Sequence, residues 1–161
     1  MNKERRQFHK TRQMAEMKTK ESVIDAAGCV IGRLGTVVAK RLLMGESITI
    51  LNSEKAIVSG HPDAVKARYT FKRDVGTRRK GPFLPKQSHM LLKRTVRGMM
   101  QYQLPNGRAA LKRLICHLGV PPEFKDKPVE VIASAKKNVP MGMTLGEISN
   151  FLGAKHLEVA V

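Results

Sequence analysis

The sequence predicts an α/β fold in which two parallel strands are joined by a helical crossover. Two short β-prone runs, residues 22–25 and 47–52, flank a segment whose apolar residues recur every three or four positions, as on a helix facing a core. A strand, a helix and a strand joined by short links form a right-handed parallel unit. With 161 residues and 42% hydrophobic content, the chain is long enough for one compact domain and not for two. We therefore expect a single α/β domain over residues 21–161.

A glycine-punctuated loop separates the first strand from the first helix. It contains Gly28 and Gly32, and the helix is expected to begin at Arg33. Gly45 lies where this helix should end, because glycine readily adopts the left-handed conformation that terminates helices. The second strand, residues 47–52, is nearly continuous in apolar residues over its second half, which is typical of strands covered on both faces.

A third strand, a second helix and a basic loop are predicted next. The β-prone residues 56–58 end at a Ser-Gly pair, and Pro62 suits the first turn of a helix that we expect to extend to residue 73. Residues 75–86 hold two glycines, two prolines and four cations, a composition that regular elements do not tolerate. We expect these residues to form a basic loop.

The next predicted elements alternate between helix and turn. Ser88 is expected to cap an amphipathic helix over residues 89–100. A turn at residues 105–107 is expected to lead into a helical segment at residues 108–114. Residues 115–118 are expected to form a last short strand before a Pro-Pro break.

The two ends of the chain carry different signals. Thr144 and Glu147 match a capping box, and Gly153 lies where the short helix that they open should stop. Residues 1–20 hold seven basic and two acidic residues with little apolar surface. We expect this segment to be a basic N-terminal arm, mobile in solution.

Basic residues are concentrated in the middle of the chain. Residues 66–113, called here the basic zone, hold fourteen of the thirty Lys and Arg and one acid, Asp74, within a chain of formal net charge +17. An ordinary solvated helix surface interleaves acids with bases, so this imbalance favours a polyanionic partner. A protein that neutralises phosphates gains affinity by releasing condensed counterions. Nucleic acid is therefore the predicted partner.

Other classes of function find little support. Aromatic residues make up only 4% of the chain, which favours recognition of phosphate, 2′-hydroxyl and helix shape over base stacking. The spacing of Gly28, Gly32 and Gly35 matches neither the dinucleotide fingerprint nor the P-loop, so we interpret it as a turn and a close helix approach. The acids and histidines form no catalytic constellation, and His117 is interpreted as structural. We expect no enzymatic activity and no cofactor.

Metal binding and membrane insertion are also not expected. Cys29 and Cys116 stand far apart without a histidine in ligand spacing, so they are interpreted as reduced, partly buried thiols. No apolar run approaches 18 residues, and the first twenty residues lack the apolar core of a signal segment. We expect a cytoplasmic protein without a membrane anchor.

Several motifs, in collinear order over roughly residues 22–153, closely resemble family thirteen of the large-subunit ribosomal proteins. They begin with Val-Ile-Asp-Ala-x-Gly-x3-Gly-Arg-Leu at residues 23–34 and end with Thr-Leu-Gly-Glu at residues 144–147. Two features depart from the family: Gln101 stands where a proline is usual, and residues 1–20 have no counterpart. The motifs between the two ends lie at residues 50–55, 59–60, 79–82, 95–99, 107–114 and 119–121.

This resemblance implies a three-layer α/β/α domain around a small, largely parallel four-stranded sheet. It also implies a structural protein of the large ribosomal subunit, without enzymatic activity, that contacts folded ribosomal RNA and neighbouring ribosomal proteins and supports subunit assembly. The helix after Gly60 and the C-terminal segment resemble the archaeal and eukaryotic branch, and we favour an archaeal source. A basic, chromatin-like DNA-binding protein and a small nucleotide-binding enzyme remain as alternatives.

The candidate nucleic-acid contacts come from the resemblance and from charge. In the basic loop, Arg78, Arg79 and Lys80 are flanked by glycines, so they are expected to follow an irregular RNA backbone closely. The resemblance implies contacts at Arg33, Arg79, Lys80, Arg94, Arg97, Arg108 and Arg113. The charge of the basic zone adds Arg68, Lys72, Arg73, Arg78, Lys86, Lys93 and Lys112.

Overall fold

A computed structural model of the protein describes residues 20–77 and 79–154. Nearly all of the predicted N-terminal arm, and also Arg78, therefore lie outside the described residues. The regular elements follow one another in chain order as β1 (Glu21–Asp25), α1 (Ile31–Leu43), β2 (Ser47–Leu51), β3 (Ile57–Ser59), α2 (Pro62–Asp74), α3 (Ser88–Gly98), α4 (Pro105–Lys112), β4 (Leu114–Cys116), β5 (Glu130–Val131), β6 (Gly142–Thr144) and α5 (Leu145–Phe151).

Four of the strands form a parallel sheet in the order β4-β2-β1-β5. Strand β1 pairs with β2 so that Ile24 lies beside Ile50, and Ile50 lies beside Cys116 of β4. Helix α1 connects β1 to β2, as expected for a parallel crossover. The predicted α/β fold with a small parallel four-stranded sheet is confirmed.

The core lies between one face of this sheet and the helices. Ile24, Ile48 and Ile50 are fully buried there, together with Val38 of α1 and Val96 of α3. The amphipathic pattern that predicts α1 reflects this packing, because Leu34, Val38 and Leu42 are buried on one side of the helix. Burial of these side chains supplies most of the stabilisation that holds the charged surface in place.

The opposite face of the sheet is more open. Side chains alternate between faces along a strand, so Val23, Thr49 and Ile115, which are paired across three strands, point away from the core. They line a cavity of about 430 Å³ that is bordered by Phe124 and Arg113. Ile115 is half exposed in this cavity.

A second, two-stranded ladder attaches the C-terminal helix to the domain. Strand β3 pairs antiparallel with β6, so that Ile57 lies beside Thr144. Thr144 then caps α5: its hydroxyl accepts a hydrogen bond from the Glu147 amide, and the Glu147 carboxylate accepts one from the Thr144 amide. The predicted capping box is confirmed, and Gly153, with a φ of 74°, follows the end of the helix.

Several predicted element boundaries are wrong. Helix α1 begins at Ile31 and not at Arg33, and the strand predicted at residues 115–118 is β4, Leu114–Cys116. Ser88 does not cap α3. The cap residue is Gln87, whose carbonyl accepts the Leu91 amide over 3.0 Å, and the Ser88 hydroxyl is buried with no hydrogen-bond partner among the described residues. The helix ends at Gly98 and not at residue 100. The predicted turn at residues 105–107 is instead the first turn of α4, because proline lacks an N–H and its fixed φ suits the first helical position.

Candidate nucleic-acid interface

Helix α2 is anchored by two side chains and displays cations on its other faces. Pro62 occupies its first turn, and Val65 and Tyr69 are its buried residues. Burial raises the pKa of Tyr69 above its ordinary value. The charged groups of Arg68 and Lys72 lie 5.8 Å and 5.7 Å from the centroid of the Tyr69 ring, and both side chains are exposed. Because Val65 and Tyr69 anchor one side of α2, Arg68 and Lys72 lie on its exposed side.

The loop after α2 is closed by its own backbone. The Gly81 amide donates to the Thr77 carbonyl over 2.9 Å, and the Thr77 amide donates back to the Gly81 carbonyl over 3.4 Å. Gly76 has a φ of 99°, and a Cβ atom there would lie 2.2 Å from the Gly81 carbonyl oxygen, so only glycine fits. The exposed side chains of Arg79 and Lys80 extend from this closed turn.

Helix α3 holds three half-buried cations through contacts within the protein. The Lys93 ammonium donates to the Leu114 carbonyl over 2.7 Å, and the Arg94 guanidinium donates to the Phe83 carbonyl over 2.9 Å. Arg97 lies over a tyrosine ring, 4.9 Å from its centroid. Arginine carries five N–H donors, so Arg94 retains donors for an external anion after making its internal contact. These three side chains are consequently held in fixed positions.

Arg113 is used within the protein, which the sequence did not reveal. Its guanidinium donates to the Leu42 carbonyl at the end of α1 over 2.7 Å, and its Nε is buried without a described partner. It lines the cavity on the open face of the sheet. By contrast, Arg108 and Lys112 on α4 are exposed, and Arg108 donates only to the nearby Gln103 carbonyl.

Two adjoining grooves bring five of the candidate cations together around Phe83. One groove gathers Lys93, Arg94 and Arg97. The other gathers Arg73 and Lys86. Arg33, Arg68, Lys72, Arg79, Lys80, Arg108 and Lys112 are exposed outside these grooves.

Within residues 20–77 and 79–154, no acid from outside the basic zone forms an ion pair with its cations. Among the described residues, the one ion pair of the basic zone joins Arg73 to the adjacent Asp74 over 2.7 Å, and both side chains are exposed. Hydrogen bonding to Arg73 lowers the pKa of Asp74 below its ordinary value. The other ion pair of a lysine or arginine among the described residues joins Arg41 to Glu130, and both of these residues lie outside the basic zone. The excess positive charge is therefore retained in the fold.

The glycine motif that resembles a nucleotide loop has structural uses. Gly28, with a φ of 70°, makes a tight turn after β1. A Cβ atom on Gly35 would lie 2.9 Å from the sulfur of Met99, so α1 and α3 approach closely there. The Glu54 carboxylate, placed where a ribose-binding acid would be, accepts the Gly119 amide over 3.1 Å. The predicted turn and close helix approach are confirmed.

The cysteines and acids offer no sign of metal or thiol chemistry in the described residues. Cys29 and Cys116 are reduced and buried, and burial raises the pKa of Cys116 to about 12. Within residues 20–77 and 79–154, no three His, Cys, Asp or Glu side chains are arranged to hold a metal ion. None of the described helices is both long and apolar enough to cross a bilayer.

Sequence reasoning missed the apolar part of this surface. Phe83 and Met90 line the first groove, and both are substantially exposed. The available signal was the run from Gly81 to Lys86, in which Phe83 and Leu84 stand between two prolines inside a basic loop. Leu84 packs against the core, whereas Phe83 stays exposed, so Phe83 is the residue of this run that indicates a contact surface.

Comparison with known proteins identifies the family. The sequence profile described as Ribosomal protein L13 matches residues 19–123. The chain is 43% identical to large ribosomal subunit protein uL13 of Methanosphaera stadtmanae over 139 residues, covering 83% of this chain and 98% of the relative. It is 41% identical to uL13 of Archaeoglobus fulgidus, covering 82% and 87%, and 42% identical to uL13 of Methanosarcina barkeri, covering 83% and 99%. These relatives are archaeal, in agreement with the branch expected from the sequence. The chain therefore belongs to the ribosomal protein L13 family.

Proposed function

We propose that this protein is a structural constituent of the large ribosomal subunit that binds large-subunit ribosomal RNA through the basic zone and Arg33. Its family and the names of its relatives, large ribosomal subunit proteins, support a place in that subunit. The observation that carries the RNA-binding role is the charge of the basic zone, which holds fourteen cations and one acid, itself paired with its neighbour. On this proposal the protein acts at the ribosome in the cytoplasm, beside other large-subunit proteins, and has no catalytic role.

The fold serves the RNA contact by holding cations at fixed separations. The closed loop at residues 76–81 presents Arg79 and Lys80, while α3 holds Arg94 and Arg97 through contacts with the protein itself. Cations that are positioned before binding lose less conformational entropy when RNA arrives. Arginine is also suited to bidentate contact with phosphate. A protein of this kind stabilises folded RNA during assembly by bridging several RNA segments.

In this proposal residues 21–161 form one RNA-binding domain and residues 1–20 a basic arm. Support for the domain comes from the continuous core, which includes Ile24 near one end and Ile148 near the other. The arm adds seven cations to the same chain. Its basic composition favours a contact with the same polyanion.

The proposed function is tested by measuring the binding of the full chain to deproteinised large-subunit RNA at increasing salt. If six to ten phosphates are neutralised, affinity should fall by about 10³- to 10⁵-fold between 50 and 200 mM salt. In competition at equal salt, structured ribosomal RNA should displace the protein from duplex DNA. A flat salt response would reject the role of the basic zone, and a preference for duplex DNA would favour a chromatin-like protein.

A further inference from the structure

A groove beside Phe83 has apolar walls in the middle of the most basic part of the protein. Phe83, Leu84 and Pro85 of the loop form one wall, and Met90 and Leu111 contribute from α3 and α4. The groove has a volume of about 410 Å³, within the roughly 300–1,000 Å³ typical of ligand pockets. Leu84 and Leu111 also pack against the core, but Phe83 and Met90 are exposed, so core packing does not explain these two residues of the groove.

The Phe83 ring is exposed although its backbone is held in place. The side chain is 69% exposed. The Phe83 carbonyl accepts a hydrogen bond from Arg94, and three residues later the Lys86 carbonyl accepts one from the Ser149 hydroxyl over 2.8 Å. The loop is thus attached to α3 on one side and α5 on the other. An aromatic ring presented to solvent from an attached backbone is typical of a contact site.

All the described charged residues that line the groove are cations. Lys93, Arg94 and Arg97 line it, and no carboxylate does so among the described residues. On the other side of Phe83 lies a second groove of about 510 Å³, lined by Arg73 and Lys86 and by Asp74, which is paired with Arg73. Cations thus lie on both sides of the exposed Phe83 ring, which favours an occupant that has a flat apolar part flanked by negative charges.

We propose that this groove receives a nucleobase extruded from the ribosomal RNA, which stacks on Phe83. The cations Lys93, Arg94 and Arg97 bind the phosphates that flank the extruded nucleotide. This inference rests on the proposed function and adds to it one site of base stacking. An RNA nucleotide matches the groove because it carries an aromatic base and an anionic backbone in one unit. An apolar segment of a neighbouring protein lacks the regular negative charge that this rim favours.

The test is ultraviolet crosslinking of the full-length protein to deproteinised large-subunit RNA of an archaeal relative, followed by digestion with trypsin and ribonuclease. Cleavage after Lys80 and Lys86 releases residues 81–86, in which Phe83 is the one aromatic residue. We expect a nucleotide adduct on Phe83 in this peptide. Irradiated complexes without an adduct there would overturn the inference.

Two matched substitutions provide an independent measurement. Phe83→Ala should weaken RNA binding by about 5- to 150-fold, the range of a lost base–aromatic stack, without changing the melting temperature. Phe71→Ala is the control, since Phe71 is 70% exposed within the basic zone but lines neither groove. Equal affinity of the Phe83 variant and the unchanged protein, or an equal loss in both variants, would overturn the assignment.

The outcomes separate this inference from the proposed function. If the unchanged protein binds ribosomal RNA with steep salt dependence but Phe83 carries no adduct, the groove belongs to another occupant, such as a protein segment. If the unchanged protein does not bind ribosomal RNA, the proposed function itself fails. Adduct formation together with selective weakening by Phe83→Ala supports both.

Discussion

Gly107, near the start of α4, lies directly against the backbone of Gln101. A Cβ atom at position 107 would lie 2.0 Å from the Gln101 carbonyl oxygen and 2.6 Å from its carbonyl carbon. The same oxygen accepts the Leu104 amide over 3.1 Å, so the turn between α3 and α4 is closed by its own hydrogen bond. The backbone at Gln101 is thus part of a close contact between the turn that follows α3 and the first turn of α4.

Gly107→Ala should destabilise the protein by about 1–3 kcal/mol or more, because backbone atoms must move to admit the methyl group. Gly98→Ala is the matched control, since Gly98 ends α3 and a Cβ atom there would meet nothing within 4 Å. That variant should leave stability unchanged or raise it by up to about 1 kcal/mol. Urea unfolding followed by circular dichroism measures both, and equal stability of the two variants would contradict the close contact.

Arg113→Ala should lower stability, because the Arg113 guanidinium hydrogen-bonds the Leu42 carbonyl at the end of α1. Loss of a hydrogen bond from a charged donor costs about 1.5–3 kcal/mol. Lys112→Ala, which removes an exposed neighbour of the same charge, should leave stability within about 0.5 kcal/mol of the unchanged protein. Thermal unfolding of both variants measures this difference. If Arg113→Ala unfolds at the same temperature as the unchanged protein, the hydrogen bond to Leu42 does not contribute to stability.

Sequence patterns predicted the elements whose signal is local. The 3.6-residue period of α1, the β-prone runs of β1 and β2, and the capping box at Thr144 all depend on residues within a few positions of each other. The strands β5 and β6 are two and three residues long, and their pairing depends on distant partners such as Ile24 and Ser59. No short window of sequence contains that information.

The candidate site likewise has features that the sequence predicts and features that depend on contacts between distant residues. Charge alone indicated the basic zone, since composition survives folding and no described acid from outside the zone forms an ion pair with its cations. The internal contacts of Lys93, Arg94 and Arg113 depend on backbone carbonyls that only the fold brings near. Pro105 and Gly107 were interpreted as a turn because proline and glycine mark both turns and helix starts. Which role applies is decided by the contact with Gln101.

Replacing Arg78, Arg79 and Lys80 together with Ala should reduce RNA affinity without reducing the melting temperature. Arg79 and Lys80 are exposed, and Arg78 belongs to the same run of sequence. Each lost phosphate contact should reduce the slope of log affinity against log salt by about one. Filter binding over a salt series measures this slope.

The matched control for the loop is the triple change of Lys55, Lys125 and Lys137 to Ala. These exposed cations lie outside the basic zone, and the variant loses the same formal charge. It should retain a steeper salt response than the loop variant. Equal loss of slope in both triple variants would mean that total charge, and not the position of the loop, determines RNA binding.

Folding should become less favourable in mild acid because of His89. Burial, reinforced by repulsion from His117 and Lys93, lowers the pKa of His89 below its ordinary value of 6.5. Below about pH 6.5 the unfolded chain therefore takes up a proton that the folded protein resists, so the free energy of unfolding falls as the pH drops through the folded pKa.

His89→Gln removes this proton uptake. Its melting temperature should therefore fall less than that of the unchanged protein between pH 7.5 and 5. Scanning calorimetry over this range measures the difference, and parallel curves for the unchanged protein and the His89 variant would contradict it.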